Sequence, residues 1–310
     1  MRKALLVAVL LMLVGCTGVA DRSDEARQVE LSLNLLHGVD NASVRYVNDF
    51  THGTFIDIGI RCDNATEAQI AAIANELNTM LGEDFADHDV SVMFSLGPNV
   101  SVTTGREVDP EAVARGAGEV RRIAAALTAP VKSIKLRPGE AGSSVRIDDA
   151  SDPDQAVRAA VQTTGETADA IYVSGDRDKR GLRTWDITGR ISLAQFDAHS
   201  QQISALPGNA SFVKISDGQF DQVNIGLPDR AGAYEAVVSA IETLGAGREH
   251  PLRLLWGWTG DTSRYNEPRW AGSVDVGACR DGVDPTKPEN LVPEAAALQE
   301  RIRAEFNCRS

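Results

Sequence analysis

The sequence predicts an α+β chain in which single helices alternate with β-hairpins. Three observations support this. Apolar–polar alternation occurs in paired runs, most of them joined by Gly, Pro, Asn or Asp. Stretches with apolar residues at helical spacing lie between the pairs. The hairpins start near residues 44, 90, 131, 170, 211 and 252, and so regular a period is an architectural signal.

Val29, Leu33 and Leu36 share the face of a first helix, although Val29, Leu31, Leu33 and Leu35 also alternate as a strand would. The helix reading rests on Asp40-Asn41-Ala42-Ser43-Val44, which resembles the later helix-to-strand passage Gly208-Asn209-Ala210-Ser211-Phe212. Strands follow at 44–47 and 55–60, where Ile56, Ile58 and Ile60 alternate with Asp57 and Gly59. Asp63 or Asn64 is the expected cap of a helix whose inward face is Ile70, Ile73, Ala74, Leu77 and Leu81. Strands at 90–96 and 100–104 flank Gly97-Pro98-Asn99. Asp109-Pro110 opens the next helix, with Asp as cap and Pro at the first helical position.

Strands at 131–137 and 144–147 flank Pro138-Gly139, and Asp152-Pro153 repeats the Asp-Pro start. Strands 170–173 and 182–188 flank a charged turn, which places Arg183 at the surface. Ser192 and Gln195 form a capping box. Asp217-Gly218 joins strands 211–215 and 222–227. Tyr234, Val237, Val238 and Ile241 mark a helix; Leu252, Leu254, Trp256 and Trp258 share a strand face; Trp270 begins the return strand; Pro293 opens the last helix.

The expected architecture is therefore tandem helix–hairpin repeats: antiparallel sheets with helices on one face. Residues 55–137 and 143–216 each fit a ferredoxin-like split βαβ module. The organisation reads as 1–15 signal peptide, 16–23 tether, and α+β modules at 24–138, 139–217 and 218–310.

Met1-Arg2-Lys3 precede an apolar run of 11 residues, Ala4 to Val14. A basic start, a short apolar segment and small residues at the cut form an export signal. The run is well short of the roughly 20 residues of a spanning helix. Its end, Leu13-Val14-Gly15-Cys16, resembles the lipobox of bacterial lipoproteins, a resemblance confined to residues 1–16. The resemblance implies cleavage before Cys16, a diacylglyceryl group on Cys16, and a mature chain lipid-anchored at the extracytoplasmic face of the cell membrane. The membrane is then one partner, reached through that lipid.

Export places Cys62, Cys279 and Cys308 in an oxidising compartment. Three pairings are open; the expected one joins Cys279 to Cys308 and ties down the tail, worth about 3 kcal/mol. Cys62 reads as a buried apolar side chain. The formal net charge of −13 and the lack of a basic cluster exclude nucleic acid as a partner.

His37, His52, His88, His199 and His250 are scattered, with no metal-ligand spacing, and read as solvated or capping residues. No nucleophile elbow or phosphate loop follows a strand. No metal or cofactor and no catalytic residue is expected. The 256–270 stretch holds three of the four Trp in the chain. Trp256, Trp258, Arg264, Tyr265 and Trp270 have the composition of a recognition surface or sugar-stacking platform. The plainer reading makes Trp256 and Trp270 core residues beneath a polar loop. The expected function is a non-enzymatic binding or scaffolding module with an envelope-protein or cell-wall partner. The alternative is an envelope hydrolase assembled from distant carboxylates such as Asp57, Asp186 or Glu267.

Overall fold

A computed structural model describes residues 20–49, 51, 53–140, 142–176, 182–262, 268–277, 291 and 293–306. In order these form α1 (Ser23–Leu33), β1 (Asn41–Asp49), β2 (Gly53–Arg61), α2 (Glu67–Leu81), β3 (Asp89–Ser95), β4 (Val100–Thr104), α3 (Pro110–Ala126), β5 (Ser133–Pro138), β6 (Ser143–Ala150), α4 (Pro153–Thr164), β7 (Ala168–Gly175), β8 (Thr184–Thr188), α5 (Leu193–Ser204), β9 (Asn209–Ser216), β10 (Gln219–Leu227), α6 (Ala233–Thr243), β11 (Leu252–Thr262), β12 (Pro268–Val276) and α7 (Pro293–Phe306). The chain is mixed α and β, compatible with an α+β class. It divides into two compact units: residues up to Arg121 with Lys135–Pro138, and Arg122–Ile134 with the chain from Gly139 onward.

In the first unit β1 pairs antiparallel with β2, β2 parallel with β3, and β3 antiparallel with β4. The sheet is thus mixed rather than antiparallel. Strands β2 and β3, joined through α2, lie side by side with Ile58 opposite Val92. No strand separates them, so this crossover is not the split βαβ expected for residues 55–137. Ile58, Val92, Ile60, Phe94 and Val102 share one face through direct cross-strand pairing and are all buried. Helix α3 lies on that face: a Cβ added at Gly116 would stand 2.8 Å from Leu136 and 3.6 Å from Val102. On the opposite face Met93 is 41% exposed, and Arg45 lies over the Phe55 ring.

Helix α1 protects the edge strand. Glu30 Oε2 accepts from Val44 N–H, Asn34 Oδ1 accepts from Ala42 N–H, and Asn34 Nδ2 donates to Ala42 O. These are the outward backbone groups an edge strand otherwise leaves open. The cap of α2 is Thr66, not Asp63 or Asn64: its hydroxyl accepts from Gln69 N–H while Gln69 Oε1 accepts from Thr66 N–H. The reciprocal capping box satisfies two orphan donors at once. The other expected starts hold. Asp109 accepts from Glu111 and Ala112 N–H, Asp152 from Gln155 N–H, and Ser192 pairs with Gln195.

In the second unit the hairpins β7–β8, β9–β10 and β11–β12 are antiparallel, and β6–β7, β8–β9 and β10–β11 are parallel. The β6–β7 and β8–β9 pairs are direct neighbours too, so the segment 143–216 is not a split module either. Residues 217 and 218 form the tip of the paired β9–β10 hairpin, both at positive φ. The module expected from 218 therefore shares its sheet with the one before it. Direct partners Trp185, Val213, Val223, Leu254 and Val274 mark one face across β8–β12. Helices α4 and α5 sit on it: the Trp185 indole donates to Asp154 and meets Phe196 edge-on.

Helix α7 lies along the outer edge of β12. Gln299 Oε1 accepts from Ser273 N–H, and Arg303 donates to Ser273 O and Oγ; the backbone groups are those an edge strand turns away from its neighbour. The burial pattern of β10–β12 departs from alternation. Residues 223–227, 254–258 and 271–274 are buried without alternation, as in a strand covered on both sides.

Candidate functional site

The aromatic hairpin is largely core. Trp256 is fully buried, and its ring occupies the space above Gly272, where an added Cβ would stand 2.1 Å from the indole. Gly272 is thus fixed by close approach. The Trp256 indole N–H is buried with no hydrogen-bond partner among the described residues. Trp258 is 8% exposed, with the Arg230 guanidinium 5.6 Å from its ring centre. Trp270 is half-buried. Trp256 and Trp258 therefore offer no open ring to a ligand. Arg264 and Tyr265, with Glu267, lie outside the described residues.

The cleft beside this hairpin is the better-formed site. It encloses about 410 Å³ between the end of α5, the start of β9 and the carboxyl ends of the parallel strands β10 and β11. Crevices at the carboxyl ends of parallel strands are recurrent ligand sites. Arg183, Ser204, Gly208, Asn209, Gly226 and Thr259 line it. Local backbone chemistry shapes it. A Cβ on Gly208 would stand 2.5 Å from Gly226 O, so glycine lets the α5–β9 connection close against β10. Thr259 Oγ1 donates to Leu227 O and fixes the opposite wall.

Among the described residues Arg183 is the one charged side chain lining the cleft, 23% exposed. Its Nε lies 3.6 Å from Asp154 Oδ1 and its guanidinium carbon 5.9 Å from the Trp185 ring centre. Asp154 also accepts from the Trp185 indole at 2.8 Å and from Ser200 Oγ at 3.3 Å. The carboxylate is therefore shared by three donors, and it holds the Arg183 side chain against the indole. Arg183 Nη1 is buried with no partner among the described residues. A buried unpaired donor costs about 1–3 kcal/mol, more for a charged group. An anionic or carbonyl oxygen that reaches Nη1 would relieve it. Ser204 Oγ is engaged with Ser200 O. The described lining residues offer an oxygen ligand the Arg183 guanidinium and the Asn209 amide.

Sequence reading missed this cleft and placed Arg183 at the surface. No motif marks it: Arg183, Asn209 and Thr259 are far apart in the chain, and only pairing of β8 to β11 assembles them. The single local signal was Gly208, which the resemblance to the 40–44 passage absorbed as a turn residue.

Asp57 lies in the first unit, half-exposed and 3.9 Å from Arg45. Asp186 lies in the second, opposite Lys214 in the β8–β9 pair. No group of three or more His, Cys, Asp or Glu able to hold a metal occurs among the described residues. His88 departs from the solvated role expected of it. It is buried between Tyr46 and Phe85, its Nε2 lies 3.4 Å from the Tyr46 hydroxyl, and burial lowers its pKa. Cys62 is a buried free thiol whose pKa burial pushes up to about 11, which makes it unreactive at neutral pH. Cys16, Cys279 and Cys308 lie outside the described residues. The chain matches no protein-family model, no curated protein and no solved structure.

Proposed function

We propose that this chain is a lipoprotein of the bacterial cell envelope, anchored through Cys16, that binds a ligand or partner without chemical turnover. The Arg183 cleft is its contact site, and the loop carrying Arg264 and Tyr265 is a second contact. The observation that carries the binding reading is the buried, unpaired Nη1 of Arg183 in the cleft wall. The anchor reading rests on Leu13-Val14-Gly15-Cys16. No described helix is long and apolar enough to cross a membrane, so attachment falls to the lipid. The alternation of one helix with one hairpin supports a tandem repeat as the scaffold. A Cys279–Cys308 disulfide would secure its C-terminal end.

The test is in-cell photo-crosslinking from Asn209 and from Tyr265, with Met93 as the control. A discrete adduct from either site that Arg183→Gln abolishes at Asn209 is the expected result. No adduct from either position overturns the binding reading. The anchor is tested separately by Cys16→Ala, which should release the chain from membranes or leave an uncleaved precursor. A variant processed and fractionating like wild type overturns it.

A further inference from the structure

Leu31 and Leu35 stand one helical turn apart at the end of α1 and just beyond it, 51% and 86% exposed. Met93 is the other exposed large hydrophobic among the described residues. The outward direction of the two leucines is imposed by a well-packed helix. Ala26, Val29 and Leu33 are buried beneath it, and Glu30 and Asn34 lock it to β1. The fold itself makes no use of Leu31 or Leu35. We propose that α1 is the membrane-facing surface of the protein, with Leu31 and Leu35 inserted at the headgroup–acyl boundary of the outer leaflet. The proposal rests on the lipidation of Cys16.

Position argues for the bilayer as occupant. Helix α1 is the first element after Cys16, and the seven residues from Cys16 to Ser23 reach at most about 25 Å when extended. The lipid thus holds α1 at the membrane at high effective concentration, so weak insertion suffices. Asp24, Gln28, Leu31 and Leu35 follow one line along the helix (spacings of four, three and four), so a helix lying flat presents them together. Charge does not oppose contact. Residues 22–35 carry Arg22 and Arg27 against Asp24, Glu25 and Glu30, a net −1 in a chain of −13. Arg22 pairs with Glu25 and Asp84, and Glu30 is turned to β1. The repulsion an anionic leaflet exerts on the whole chain is therefore weak at this surface. The diacylglyceryl chains hold the protein at the bilayer, and an inserted pair of leucines fixes how the domain stands on it.

The experiment uses the full lipidated chain on vesicles of phosphatidylethanolamine and phosphatidylglycerol. An environment-sensitive fluorescent residue is placed at position 35, and a second preparation carries it at 93. Nitroxide-bearing lipids should quench the probe at 35 and leave that at 93 unaffected. With the probe at Gln28, Leu31→Ser combined with Leu35→Ser should abolish quenching while the protein still floats with the vesicles. Absence of quenching at 35 in a floating protein overturns the inference and leaves the anchor standing. A chain that does not float because Cys16 is unmodified overturns the anchor, and this inference with it. A blue shift at 35 in cells but not on vesicles overturns the inference in favour of a protein partner.

Discussion

The sheet of the first unit and strands β10–β12 of the second are built from the same hairpins, yet they bury differently. In the first unit one face carries the apolar residues and α3, while the other presents Arg45, Asp57 and the exposed Met93. In β10–β12 both faces are buried: Val223, Leu254 and Val274 lie on one, Asn224, Leu255 and Ser273 on the other. The difference teaches that covering a second face changes which residues a strand tolerates. Alternation gives way to continuous burial, and Gly272 is a glycine because the ring of its cross-strand partner Trp256 lies over it. The 254–258 run, Leu-Leu-Trp-Gly-Trp, is that continuous burial in sequence form.

The largest effect should come from the doubly covered region. Trp256→Ala should cost about 3–5 kcal/mol by denaturant unfolding, the range for removing a large aromatic side chain from a core. Gly272→Ala should cost about 1–3 kcal/mol, because its Cβ meets a buried ring that cannot swing away. The two together should cost less than their sum, since truncating the indole removes the clash. Strict additivity would separate Gly272 from Trp256 and break the account of why a glycine stands there.

The sequence made the helix–hairpin order legible because period and turn chemistry are local. Ile70, Ile73, Ala74, Leu77 and Leu81 all lie on the buried face of α2, and the Asp109, Asp152 and Ser192 helix starts use side chains within three residues of their targets. Strand neighbours, by contrast, are set by tertiary packing. A split module and a direct crossover have the same sequence pattern, so the pairing of β2 with β3 could not be read. Nor could the position of α7 along the edge of β12, which depends on Gln299 and Arg303 meeting Ser273 at long range. The Arg183 cleft was hidden for the same reason: its residues have no chemistry in common until four strands are aligned.

Helix starts sharpen the comparison by holding one variable fixed, since each unit has an Asp-Pro opening. Asp109→Ala and Asp152→Ala should each cost about 1 kcal/mol, measured by unfolding and by hydrogen exchange of the helix that follows. Equal costs place the difference between the regions in the sheet; unequal costs would place part of it in the helices.

Acid should act on the first unit through His88. Its folded pKa lies below the ordinary value of 6.5 because burial disfavours the charged ring. On acidification the unfolded chain therefore takes up this proton first. The stability His88 contributes is present above pH 6.5 and is lost as pH falls toward the lowered value. Protection factors of β1 and β3 amides, taken relative to intrinsic exchange at each pH, should fall in that window, and His88→Gln should flatten the dependence. Protection factors unchanged by pH in the wild type would sink the assignment.

The smallest effect should be that of Met93→Lys. Met93 lies on the face of β3 turned away from Val92, Phe94 and α3, and a lysine there can carry its ammonium into water, so the change should fall within about 0.5 kcal/mol. The same substitution at Leu255 tests the contrast directly. Leu255 pairs with Ser273 and is buried, so a lysine must either bury its charge or displace what covers that face. If Met93→Lys instead proved as damaging as a core change, the open face of the first unit would have to be covered in the working protein. That sheet would then be an interface, and the two regions would differ only in whether the cover belongs to the same chain.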